Sequence, residues 1–195
     1  MPNWCNNTLE LSHEDPEMIT RAVKAFEEGK FLEEFIPVPA SLHIVAGSVG
    51  DADEQKKLEE DTARNVVEHG YGNWYDFCVN EWGTKWDVGG DDGNVNLTDS
   101  NSVTLDFDSA WSPPIQAYEK LLDLGFKVTA YYYESGMCFA GIWEDGFDDF
   151  YDMSGMDSVQ VKEELPDELD TRFCISENMA EWEAETDLEQ ADDGA

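Results

Sequence analysis

The chain has 195 residues and carries 45 Asp and Glu against 11 Lys and Arg, a formal net charge of -34. Such a field opposes direct binding to nucleic acid or to an anionic lipid surface and favours basic protein partners. With 41% hydrophobic and 12% aromatic residues the chain is also no disordered acidic tail, which pairs high charge with low hydrophobicity.

The first strand is expected over Asn3–Leu11, where Trp4, Thr8 and Leu9 sit among asparagines. Asp15-Pro16-Glu17 then opens a helix, with an N-cap, a proline at the first position and an acid in the first turn. Ile19, Val23 and Phe26 form its apolar stripe and Gly29 ends it. Phe31 to Leu42 contains Ile36-Pro37-Val38-Pro39 and is expected as an extended connector that resists helix. Gly47 to Gly50 is a turn. Asp53 to His69 has helical spacing but a narrow apolar face of Leu58, Ala63, Val66 and Val67, so it is expected on the surface. Asn73 to Trp82 reads as another helix, broken by Gly83, with a strand starting over Thr84–Val88. Gly89 to Asn101 is loop or hairpin, with Asn94-Val95-Asn96-Leu97 alternating.

Ser102–Phe107 is a strand that places Val103, Leu105 and Phe107 on one face. Ser112-Pro113-Pro114 starts a helix to about Leu124, closed by Gly125. Phe126–Glu134 and Met137–Glu144 form a hairpin around Ser135-Gly136. This order predicts an α+β fold, an antiparallel sheet with helices on one face, over residues 1–145. From 146 to 195 the sequence predicts an acidic extension with interleaved aromatics. It holds a short strand over Ser158–Val161, a short helix from Pro166-Asp167-Glu168 and a last helix capped by Ser176. Ile175, Met179 and Trp182 would share one face of that helix. Residues Leu188 to Ala195 are expected to fray.

The acid is not confined to the tail. Residues 1–143 hold 26 acids and 9 bases, and residues 163–195 hold 13 acids and one base, Arg172. Cys5, Cys78, Cys138 and Cys174 are far apart in sequence, and His13, His43 and His69 are scattered, so buried thiols are expected rather than metal ligands or disulfides. No basic-then-apolar leader is present, and no apolar run approaches the roughly 18 residues of a membrane helix. A soluble protein of the host cell cytoplasm is expected.

Several stretches occur together in order. They are Met1-Pro2-Asn3-Trp4-Cys5-Asn6-Asn7, then Trp74-Tyr75-Asp76-Phe77-Cys78 with Asn80-Glu81-Trp82-Gly83-Thr84-Lys85-Trp86-Asp87. Ala110-Trp111-Ser112-Pro113-Pro114 follows, and then Glu134-Ser135-Gly136-Met137 before Phe139-Ala140-Gly141. This set resembles the YubB ferredoxin-like domain family of plasmid and phage proteins, over roughly residues 1–145. The resemblance implies a βαββαβ-like fold and a mobile-element origin. It brings no established activity and no catalytic residues. The name describes topology only, since these cysteines lack iron–sulfur spacing.

Two groups of residues stand out. Lys85, flanked by Trp82, Trp86 and Asp87 with Trp111 near, reads either as a small-ligand pocket or as a lysine packed on tryptophan to hold helix to strand. Asp145, Phe147, Asp148, Asp149, Phe150, Tyr151 and Asp152 read either as a partner-binding face or as aromatics sealing the core edge. Aromatics would anchor such a partner and acids would steer it. Asp91-Asp92-Gly93-Asn94 lacks the alternation and the closing Glu of an EF-hand and reads as a turn. No GxSxG, no catalytic triad context and no phosphate-cradling loop occurs. No catalytic residue, metal or cofactor is expected.

A compact chain of this length is roughly 40 Å across, and duplex DNA carries roughly 25 charges over that distance. The charge therefore suits either a decoy or a solvated coat. The sequence predicts a non-enzymatic acidic protein that mimics nucleic acid and blocks the basic groove of a host or anti-phage defence protein. A small-ligand domain at Lys85 and an acidic structural or assembly protein are the alternatives.

Overall fold

The computed structural model describes residues 3–192. It is a mixed α+β fold built on a six-stranded antiparallel open sheet. The first strand, β1 (Trp4–Ser12), is followed by α1 (Pro16–Glu27), α2 (Phe31–Phe35), α3 (Ala52–His69) and α4 (Trp74–Glu81). Then come β2 (Asn94–Asp99), β3 (Ser102–Ala110), α5 (Ile115–Asp123), β4 (Lys127–Glu134), β5 (Phe139–Glu144) and β6 (Phe147–Asp152). The chain ends in α6 (Ser158–Glu164), α7 (Asp167–Phe173) and α8 (Ile175–Asp192). Across the sheet the strands run β2-β3-β1-β4-β5-β6.

Local sequence explains most of these elements. Asp15, Asp51 and Asn73 cap α1, α3 and α4 through side-chain oxygens that accept first-turn N–H groups. α2 corrects the expected extended connector: its cap comes from far away in sequence. The Asp87 carboxylate accepts from Leu32 N (2.7 Å) and Glu33 N (2.9 Å), giving this short helix the acceptor its own sequence lacks. Thr84–Val88 is irregular rather than a strand. Buried Thr84 instead uses its hydroxyl to donate to Ala110 O and to accept from Ala110 N, both at 3.1 Å. Ser158–Val161 lies in a helix, not a strand, because Asp157 and Gln160 close a reciprocal capping box.

The sheet carries a core on each face. On one, Leu9, Leu11, Val103, Leu105, Phe107, Val128, Ala130 and Trp143 pack against Ile19, Phe26, Phe31, Phe77, Tyr118 and Leu121 from α1, α2, α4 and α5. α3 adds only Asn65 to the buried set, and its Val67 is 88% exposed, as its narrow apolar face implies. Gly89 (φ +97°) lies so close to α1 that a Cβ there would sit 2.2 Å from Phe26 O. This contact presses the loop before β2 onto α1.

On the opposite face, Tyr131 and Ala140 meet Met153, Val161, Leu165, Leu169 and Ile175. The C-terminal helices thus cover the β4–β6 half of the sheet from behind. The boundary placed after residue 145 falls at the turn between β5 and β6, two strands of the same sheet. Of the expected stripe on α8, Ile175 is buried and Met179 packs against this second core, while Trp182 is 67% exposed. Ser176 does not cap α8; it bonds to Asp170. The fraying expected from Leu188 to Ala195 meets helix as far as Asp192, and residues 193–195 lie outside the described residues.

Candidate functional site

The segment Trp82–Asp87 folds its residues in two directions. Trp82 turns inward, 4% exposed, and its indole N–H donates to Ile36 O at 2.9 Å. Asp87 also turns inward. Burial raises its pKa above the usual carboxylate value, an effect partly offset by N–H groups of Glu33, Leu32 and Val88. Lys85 points the other way. Its Nζ lies 4.5 Å from the Trp86 ring centroid, 5.5 Å from Trp111 and 5.8 Å from Tyr75.

The result is an aromatic platform at the end of the β1–β3 pair. Trp86 and Trp111 stack with centroids 6.5 Å apart, and Trp4 meets Trp86 at 6.0 Å. Trp111 holds a left-handed backbone (φ +69°), fixed by its N–H donating to Asn3 O. Lys85, Trp86 and Trp111 are therefore together, whereas Trp82 and Asp87 serve the interior. Sequence reasoning missed Trp4 and Tyr75. Trp4 arrives through the register that pairs it with Ala110, one residue before Trp111, and that register is a tertiary fact.

The acidic aromatic run forms β6, an edge strand. Strand alternation deals its side chains to two faces. Asp148 pairs with Trp143 and Phe150 with Gly141 on the first-core side; Asp149 pairs with Ile142 and Tyr151 with Ala140 on the other. Asp148 accepts from the Tyr132 hydroxyl at 2.6 Å, and Phe150 packs on Phe139 with ring centroids 5.6 Å apart. Burial first, and this carboxylate second, raise the Tyr132 pKa. Asp152 accepts from Ser154 N, and its pKa is lowered by its hydrogen bonds to Ser154. Asp145 sits at the hairpin turn (φ +45°). Its N–H donates to Val128 O and its carboxylate accepts from Val128 N, both at 3.1 Å, so its role is to close the turn.

Phe147 is 79% exposed and Phe150 55%, while Tyr151 is half-buried against the second core. A groove of about 460 Å³ beside the strand runs from Val79 and Pro113 to Phe139, Asp148 and Phe150. A row of carboxylates along an exposed edge also discourages strand-on-strand aggregation. Among the described residues the ion pairs engage Arg21, Lys24, Arg64, Lys120, Lys162 and Arg172, and none of these reaches Asp148, Asp149 or Asp152.

Among the described residues, no group of three or more His, Cys, Asp and Glu side chains is placed to hold a metal ion. Among them, too, no helix is long and apolar enough to cross a membrane. The expected burial of the thiols holds for Cys5 and Cys78 but not for half-buried Cys138 or exposed Cys174. Burial raises the pKa of Cys78 to about 12 and that of Cys5 higher still, so both are held as neutral thiols.

No family model matches the chain, and no curated protein matches it in sequence. Among solved structures it is similar to the protein api92 from Yersinia pseudotuberculosis, of family DUF1281. That likeness has 12% identity and a TM-score of 0.39, and it covers 78% of this chain and 98% of that one.

Proposed function

We propose that this chain is a non-enzymatic binding protein of phage or plasmid origin. It imitates nucleic acid and occupies the basic groove of a host or anti-phage defence protein in the host cytoplasm. The observation that carries this reading is a formal charge of -34 on a folded body, with the β6 carboxylates Asp148, Asp149 and Asp152 exposed on an edge strand and beyond the reach of the paired bases. Phe147 and Phe150 beside them supply anchors for contact after charge has steered the encounter.

The strand order supports a ferredoxin-like core of the YubB kind. In β2-β3-β1-β4, the parallel strands β1 and β2 are split by β3, and β3 and β4 by β1, with α1–α4 and α5 as the crossovers. On this reading β5, β6 and the C-terminal helices are an acidic extension that completes the sheet. The alternative small-ligand reading loses support, because Trp82, Lys85, Trp86, Asp87 and Trp111 do not line one cavity.

The test is competition. Proteins captured from host lysate at low salt should be released by added duplex DNA and by high salt, since each carboxylate contact to Lys or Arg is screened. A captured protein that binds equally at both salts, and still holds its own nucleic acid while bound, overturns the reading.

A further inference from the structure

The strongest unassigned feature is a cavity of about 440 Å³ at the outer edge of β3. β2 pairs with β3 only as far as Asn94 opposite Asp106, and Ala110 is met by the Thr84 hydroxyl. Between these two points the β3 edge opens into the cavity. Trp111 donates its N–H toward β1, so alternate residues Ala110 and Asp108 turn their main-chain groups outward. Two indoles wall the space, Trp4 at 47% and Trp86 at 40% exposure, and Asp92 and Asp108 stand exposed at its rim. No Lys, Arg or His lines it.

Half-exposed indole faces beside carboxylates, with no base among them, suit a cation that can stack. Trp86 already takes one, since Lys85 Nζ lies over it, and Lys85 is not part of the cavity lining. The Asp87 carboxylate is occupied by main-chain N–H groups. Asp92, the outward Asp108 carbonyl and the second oxygen of the Asp108 carboxylate are the acceptors at hand; its first oxygen accepts from Asn6 Nδ2 at 2.7 Å. A planar guanidinium stacks on indole and presents five donors in a fork, which an ammonium cannot do.

We propose that this cavity receives the guanidinium of one arginine side chain from a basic partner. The inference rests on the nucleic-acid-mimic reading and sharpens it: charge brings the partner, and this cavity selects arginine over lysine.

The probes are octa-arginine and octa-lysine peptides, titrated into the full chain at about physiological salt. Octa-arginine should bind about tenfold more tightly, the scale of one well-formed cation–indole contact. The indole N–H signals of Trp4 and Trp86 should shift, while that of exposed Trp182 stays still. Trp4→Leu should bring the arginine peptide down to the lysine peptide. Asp92→Asn, on an exposed turn where folding is not at stake, should narrow the same gap. Equal binding of both peptides, with Trp4 and Trp86 unmoved, overturns the cavity assignment and leaves the mimic reading standing. Failure of both peptides to bind even at low salt overturns the mimic reading and this inference with it.

Discussion

On the face covered by α1, α2, α4 and α5, the layers meet through Leu, Val, Ile and aromatic side chains, with Phe26 at the centre of contacts to Phe31 and Phe107. On the face covered by α6, α7 and α8 the apolar cluster is smaller, and carboxylates tie the layer together. Asp170, 3% exposed, accepts from Lys162 of α6 (2.8 Å) and from the Ser176 N–H and hydroxyl of α8 (2.7 Å each). Glu183 of α8 accepts from the Ser158 N–H and hydroxyl at the start of α6. Arg172 lies 3.7 Å over Tyr131 and pairs with Glu10 and Glu168, strapping α7 to the sheet. Where apolar area is limited, this acid-rich chain uses its carboxylates as hydrogen-bond acceptors between helices. The first region rests on burial and the second on charge.

The largest effect should come from the first region. Phe26→Ala should cost about 3–5 kcal/mol and unfold the molecule as one unit, read as a single shifted denaturation midpoint. Leu169→Ala in the second core should cost about 2–5 kcal/mol, but it should loosen the C-terminal helices first. Far-UV circular dichroism and tryptophan fluorescence would then give separated transitions. Coincident transitions for Leu169→Ala would merge the two regions into one cooperative block.

Acid should separate the regions further. Burial alone would raise the Asp170 pKa, but the hydrogen bonds from Lys162 and Ser176 outweigh it and hold the pKa below the usual value. A depressed carboxylate stabilises the fold above its unfolded pKa, about 3.9, and that stabilisation is lost as pH falls through the folded value. Asp87 has the opposite sign: its raised pKa means that protonation on acidification is favoured in the folded state. Amides of α6–α8 should therefore exchange faster below about pH 4 before those of α1 and β1 do. Asp170→Asn should cost about 1–3 kcal/mol at neutral pH and flatten this pH dependence. Simultaneous acid opening of both regions would contradict the division. The smallest effect is expected at Lys85→Met, about 1 kcal/mol from lost cation–aromatic contacts, with partner binding intact once folded. A fully stable Lys85→Met chain that no longer binds would make Lys85 a contact residue.

The regular elements were legible because their signals are local. The caps at Asp15 and Asn73 place α1 and α4, and the alternation at Val103, Leu105 and Phe107 places β3, each with only small shifts at the ends. The misses depend on distant partners or weak periods. α2 depends on Asp87, more than fifty residues later. Thr84–Val88 has strand composition, but Thr84 spends its hydroxyl on Ala110 in place of a ladder. β6 has no apolar alternation because it is an edge with aromatics and acids on both faces. Ser158–Val161, expected as a strand, is helical because Asp157 and Gln160 close a capping box, a signal local to the sequence. The aromatic platform was half legible: WGTKWD placed Lys85 and Trp86 together, but only the β1–β3 register adds Trp4 and Asp108.

The central claim, that charge on the β6 edge steers a basic partner, is tested most directly by association kinetics with a partner captured from host lysate. Asp148→Asn, Asp149→Asn and Asp152→Asn, combined in one chain, keep the oxygen that accepts from Tyr132 and remove three charges. The account predicts slower association at low salt, a difference that shrinks as salt rises, and an unchanged dissociation rate; Phe150→Ala should do the reverse and speed dissociation. An association rate that stays the same at low salt when the three charges are removed would contradict it.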